Sequence, residues 1–106
     1  METNRESPPP GSAQVLVSVR ESMLVEDCPV ARSHAKRLLQ RAEKFERIVF
    51  DFRDVEGIGP AFADEIFRVF TLQHPEIELV SINANLQVER MIAKARHDLE
   101  TFLRNS

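Results

Sequence analysis

Apolar residues recur along this chain with two periods, and the alternation between them lays out the elements. Val15, Val17 and Val19 alternate with Gln14, Ser18 and Arg20, the period-2 signature of a strand. Leu16 interrupts the polar face, which predicts cover on both sides. Met23, Leu24 and Val25 either continue this strand or form a second short one. Over residues 33–46 the spacing changes. Ala31, Ala35, Leu38, Leu39, Ala42 and Phe45 fall on one helical stripe. Ser33 offers a hydroxyl to a first-turn amide, and Pro29 discourages a much earlier start. Residues 47–52 (RIVFDF) are nearly continuous in apolar character, as in a central strand buried on both faces.

Residues 57–60 (GIGP) then break the pattern as a loop, and Pro60 suits the first position of a helix. That helix carries Ala61, Phe62, Ala63, Ile66, Phe67, Val69 and Phe70 and stops before Pro75. Its apolar face is wide enough to meet both the sheet and a neighbouring helix. Residues 77–82 form another short strand. Residues 85–103 form the last helix, with Val88, Met91, Ile92, Ala95, Leu99 and Phe102 in one stripe and Asn83 or Asn85 as its cap. At roughly 28 Å it outruns so small a sheet, so its end projects beyond the core.

The order is β, α, β, α, β, α, with connections long enough for right-handed crossovers. The fold class is therefore an α/β sandwich: a mostly parallel sheet of three or four strands and three helices. Surfaces outside the carboxyl ends of the strands are the favoured binding places in such sheets, which points to residues 51–60 and 83–85.

Composition narrows the picture. At 106 residues and 42% hydrophobic content, residues 14–106 suit one globular domain. Residues 1–13, with Pro8, Pro9, Pro10, Gly11 and Ser12, read as a disordered tail or short extended arm. No apolar run approaches the ~18 residues of a membrane span, so no membrane partner is expected. The N-terminal stretch lacks the apolar core of a secretory signal, and Cys28 is the lone cysteine. An internal disulfide and a Cys-based zinc site are thereby excluded, and a cytoplasmic location is expected.

Chemistry is sparse. GIGP lacks the lysine or third glycine of a phosphate loop, and Pro60 removes an amide, so no nucleotide cofactor is expected. His34, His74 and His97 show no metal-ligand spacing and read as surface residues. No serine has an activated context, and nothing marks Cys28 as reactive. Asp64 and Glu65 fall in the first turn of the second helix, where its dipole favours acids, and they diverge by about 100°. Asp51 interrupts an apolar strand, so it needs a partner, for which Arg32, Arg53 and Arg68 are available. A polar cluster of Arg32 and Asp51 is one reading. A small hydrolase or transferase using Asp51 with Asp64 or Glu65 is another.

Charge is uneven. Residues 31–47 carry six basic and two acidic side chains, and residues 48–80 two basic and seven acidic, while the whole chain is −3. Arg37, Arg41 and Lys44 give the first helix a basic face that can meet nucleic acid. Overall acidity and the absence of Trp and Tyr weaken that reading, and complementary patches equally allow a homo-oligomer.

Several segments resemble a known family. Arg32-Ser33-x-Ala35-Lys36-Arg37-Leu38-Leu39, Ile48-Val49-Phe50-Asp51-Phe52-x-x-Val55-x-x-Ile58 and Phe62-Ala63-Asp64-Glu65 resemble the STAS-like domains of unknown function of bacteria and phages. His74-Pro75-x-Ile77-x-Leu79 and Asn83-x-Asn85-x-x-Val88-x-x-Met91-Ile92 extend the likeness, which covers roughly residues 15–97. More distantly these are similar to the STAS domains of anti-sigma-factor antagonists and sulfate-transporter tails. There a kinase phosphorylates a serine at a helix start and so switches partner binding. Ala61 stands at that place here, without a hydroxyl.

The resemblance implies a STAS-like, non-enzymatic and regulatory protein-interaction module. Its expected partner surface is Gly57, Ile58, Gly59, Pro60, Ala61, Phe62, Asp64 and Glu65, with no metal or cofactor; Ile58 and Phe62 are either apolar anchors of that surface or residues of the core.

Overall fold

The computed structural model describes residues 13–23 and 29–105. Residues 1–12 of the N-terminal tail, Leu24, Val25 and Cys28 lie outside the described residues. The strands are β1 (Gln14–Ser18), β2 (Arg47–Asp51) and β3 (Glu78–Ile82). The helices are α1 (Val19–Ser22), α2 (Arg32–Ala42), α3 (residues 60–73) and α4 (Leu86–Arg104). The strands form one parallel sheet in the order β1-β2-β3. The fold is α/β, as the two apolar periods predict, with a fourth helix in α1.

Successive right-handed crossovers in one direction place α2 and α3 on the same face of the sheet. Ile48 and Phe50 point into that face and are buried, and Phe50 meets Phe67 of α3 edge-on at 6.0 Å between ring centres. α4 packs against α3, with Val88, Ile92 and Ala95 buried. The opposite face follows from the register, which sets Leu16, Val49 and Val80 in one row. Leu16 is 61% exposed there, so the expected cover on both sides of β1 is not found. β2 is central, as expected, but Val49 on its second face is only partly buried. Alternation reports which residues share a face. It does not report whether a layer lies over that face.

α3 begins at Pro60, whose missing N–H is no loss at a helix start. From Glu65 to Phe70 the backbone widens into a π-helical turn before Thr71–Gln73 resume the α-helix. Phe62 ahead of this turn and Ile66, Phe67 and Phe70 within it are all buried, so the unusually wide apolar face is used along its length.

Local capping departs from expectation in two places. α2 starts at Arg32 behind Ala31, which makes no side-chain cap, and Ser33 lies within the helix. Val19 leaves the strand because Ser18 caps α1, its hydroxyl oxygen accepting from the Glu21 backbone N–H at 3.2 Å. Asn85 rather than Asn83 caps α4, accepting from the Val88 N–H at 2.9 Å. No helix among the described residues is long and apolar enough to cross a membrane.

His34, expected at the surface, is buried. It stands edge-on to Phe62 at 5.3 Å. The Ser22 hydroxyl donates to the Val19 carbonyl at 2.6 Å, so at 2.8 Å it accepts from the His34 Nε2–H. Nδ1 is buried and has no partner among the described residues. Ser22→Ala removes the acceptor of a buried N–H, and we expect a loss of about 1–3 kcal/mol in urea unfolding. His34→Leu in the same background removes the stranded group and should recover part of that loss.

Candidate functional site

The GIGP loop lies between the carboxyl end of β2 and the start of α3, and the peptide groups of Ile58 and Gly59 in it are bonded. The Ile58 N–H donates to Gln87 Oε1 at 3.0 Å, and Gln87 Nε2 donates to the Ile58 carbonyl at 3.1 Å. The Gly59 N–H donates to the Pro29 carbonyl at 2.9 Å. Asn85 Nδ2 donates to the Glu56 carbonyl at 2.9 Å. One turn of α4 and the chain leading into α2 thus hold the loop from both sides. A Cβ on Gly59 would lie 3.0 Å from the Val30 Cα, a backbone atom. A Cβ on Gly57 would meet only the amide end of Gln87.

The loop therefore differs from the surface the sequence suggests. Ile58, Gly59, Phe62 and Glu65 are buried, so Ile58 and Phe62 anchor the core and are not offered to a partner. Gly57, Pro60, Ala61 and Asp64 keep exposure. Pro60, Ala61 and Asp64 line one side of a groove of 560 Å³. Met91, Ala95 and Phe102 of α4 line the other, and Phe102 is 49% exposed. Nothing in the sequence pattern marks these α4 residues as functional except the length of the helix, which carries the apolar stripe past the sheet.

A neutral knot of charge contributes Arg32, Asp64 and Arg68 to the same lining. Arg68 donates twice to Asp64, at 2.5 and 2.9 Å. Arg32 of α2 donates to Asp64 at 2.8 Å and to Glu65 at 3.3 Å. The two guanidinium groups, that of Arg68 above all, hold the Asp64 carboxyl below its ordinary range. Lys94 and Asp98 pair at 3.4 Å along the other rim.

Arg32 thus meets Asp64 and Glu65, not Asp51. Asp51 ends β2 on the open face of the sheet, where it accepts from Asn83 Nδ2 at 2.9 Å and the Arg53 N–H at 3.0 Å. Those two donors, Asn83 first, hold its carboxyl below the usual range. Asp51 therefore needs no arginine partner, and the expected Arg32–Asp51 cluster does not form. Asp51 and the Asp64–Glu65 pair have no bonding partner in common. Arg37, Arg41 and Lys44 are all exposed at α2. Among the described residues no group of three His, Cys, Asp or Glu side chains is placed to hold a metal ion.

The model of one family, the STAS-like domain of unknown function (DUF4325), matches residues 34–89. The chain belongs to that family. The match runs from α2 into the first turn of α4, so it takes in the glycine loop, Asp64 and Glu65, and leaves Lys94, Asp98 and Phe102 beyond it. No curated protein and no solved structure matches the chain.

Gly59→Ala should cost about 1–3 kcal/mol in urea unfolding, because Val30 cannot withdraw without moving the chain, and Gly57→Ala, which presses on the Gln87 amide, should weaken its two bonds to Ile58. A carboxyl held below its ordinary pKa stabilises the fold above about pH 4, and that share is lost as pH falls through the lowered value. Asp64→Asn should therefore flatten the acid limb of the stability profile and cost about 1–2 kcal/mol at pH 7. Chemical denaturation between pH 2 and 7 measures both.

Proposed function

We propose that this STAS-like domain is a non-enzymatic, regulatory protein-interaction module that seats a partner protein in the groove between the start of α3 and the second half of α4. The observation that carries the reading is the make-up of that groove. Pro60, Ala61, Met91, Ala95 and a half-exposed Phe102 line it, and the charged side chains that share the lining are already paired. Apolar pockets with an aromatic at the edge and a polar rim are where binding energy concentrates at protein interfaces.

Paired rim charges suit recognition better than catalysis. A carboxylate gripped by two arginines is a poor proton acceptor, because its charged form is the favoured one. Asp51, the third carboxylate weighed for chemistry, has partners of its own and none in common with Asp64 and Glu65. Ala61 lines the groove where the related STAS domains carry a phosphorylated serine. With a methyl group there, seating depends on shape and apolar contact, without a phosphate switch at this position.

Photo-crosslinking residues at positions 61 and 102, with one at exposed position 76 as control, test the reading in cells. The same partner should attach at 61 and 102 and not at 76. Phe102→Ala should weaken the purified pair about tenfold, and Ala61→Arg more. Folded variants that bind at wild-type affinity would place the partner elsewhere.

A further inference from the structure

The two edges of the sheet are finished differently. On β3 the outward carbonyl of Leu79 accepts from Arg96 Nη2 of α4 at 3.3 Å, and that guanidinium lies over the Phe67 ring at 5.1 Å. On β1 the Ala13 carbonyl accepts from the backbone N–H groups of Glu46 and Arg47. Peptide groups alternate sides along an extended strand, so those of residues 13, 15 and 17 face β2 and those of Gln14 and Leu16 face outward. No described strand lies beyond β1. Edge strands are ordinarily protected by charge, proline or a bulge. β1 is Gln-Val-Leu-Val-Ser, with neither charge nor proline, and it pairs with β2 residue for residue.

The helix above this edge is basic on the matching side. Arg32 reaches α3, which fixes the flank of α2 that faces its neighbour. At about 100° per residue, Arg41 lies on the opposite flank. α2 packs on β1 and is the outermost of the two crossover helices, so that flank overlooks the β1 edge. Lys44 follows at its end, and α2 itself contains no acidic residue.

We propose that the β1 edge takes up an extended, acidic segment of a partner protein as a fourth strand. The segment's backbone bonds to Gln14 and Leu16. Alternate carboxylates on its helix side meet Arg41 and Lys44, and the side chains between them are apolar and lie beside Leu16. Strand addition of this kind draws affinity from main-chain bonds and selectivity from alternate side chains. Charge argues against a second copy as the occupant, since pairing β1 with its twin would bring two basic α2 flanks together.

The probe is an acetylated, amidated peptide of alternating valine and glutamate, titrated into the full chain and followed by backbone amide NMR. The Gln14 and Leu16 amides should shift and exchange more slowly. Replacing glutamate by lysine, or N-methylating the residues that face β1, should abolish binding. Arg41→Glu should weaken it about fivefold, and Leu16→Lys, at an exposed position, should weaken it further. Binding that ignores peptide charge or N-methylation would overturn the proposal. So would a concentration-dependent dimer that Leu16→Lys breaks. Salt-sensitive binding of duplex DNA that is lost in Arg41→Glu and kept in Leu16→Lys, with no peptide response, would assign the basic flank to nucleic acid instead.

Discussion

The peptide groups of Ile58 and Gly59 are the point on which the arrangement turns. A glycine loop at the carboxyl end of a parallel strand would ordinarily present its amides to solvent or to a ligand. Here Gln87 takes both polar groups of Ile58, and Pro29 takes the Gly59 N–H. A buried amide must find an acceptor, so these bonds let the loop sit inside the fold. They also tie three distant stretches of chain together: the approach to α2, the start of α3 and the start of α4. With the loop sealed, the accessible part of this region moves on to Pro60 and Ala61 and across to α4.

The Arg32–Asp64–Arg68 knot fixes what the loop positions. Asp64 accepts from both arginines, so α2 and α3 are joined by charge above the apolar contact that joins them below. Because Arg32 is nearly half exposed, its share is modest; Arg68 is the better buried partner and makes two bonds. The consequence for function is geometric. One wall of the groove is held in a single orientation by paired charges that are not free to do proton chemistry, and the opposite wall is a helix that runs past the sheet.

The sequence carries the fold well wherever the signal is local. Apolar periods place all three strands, Pro60 marks the start of α3, and the stripe from Val88 to Phe102 marks α4. The wide face of α3 is visible too, although the π turn within it is not. What fails to show is decided by partners far along the chain. Gln87 lies 29 residues from Ile58, and nothing around it announces a clamp. Arg32 chooses Asp64 over Asp51 only because the crossover brings the start of α3 beside α2. Leu16 and His34 fail for a related reason: a single residue's hydrophobicity or polarity does not tell which layer lies over it. The family resemblance spans the segment around Asp64 and Glu65, and the family match over residues 34–89 includes it.

Native-state hydrogen exchange at the Ile58 and Gly59 amides tests the sealed loop most directly. Both donors are held inside the fold, so they should exchange as slowly as the Phe50 amide at the centre of the sheet, through opening of the whole domain. Exchange within the range of exposed loop amides, with Phe50 still protected, would mean that the loop opens on its own. The docking surface would then return to the glycines.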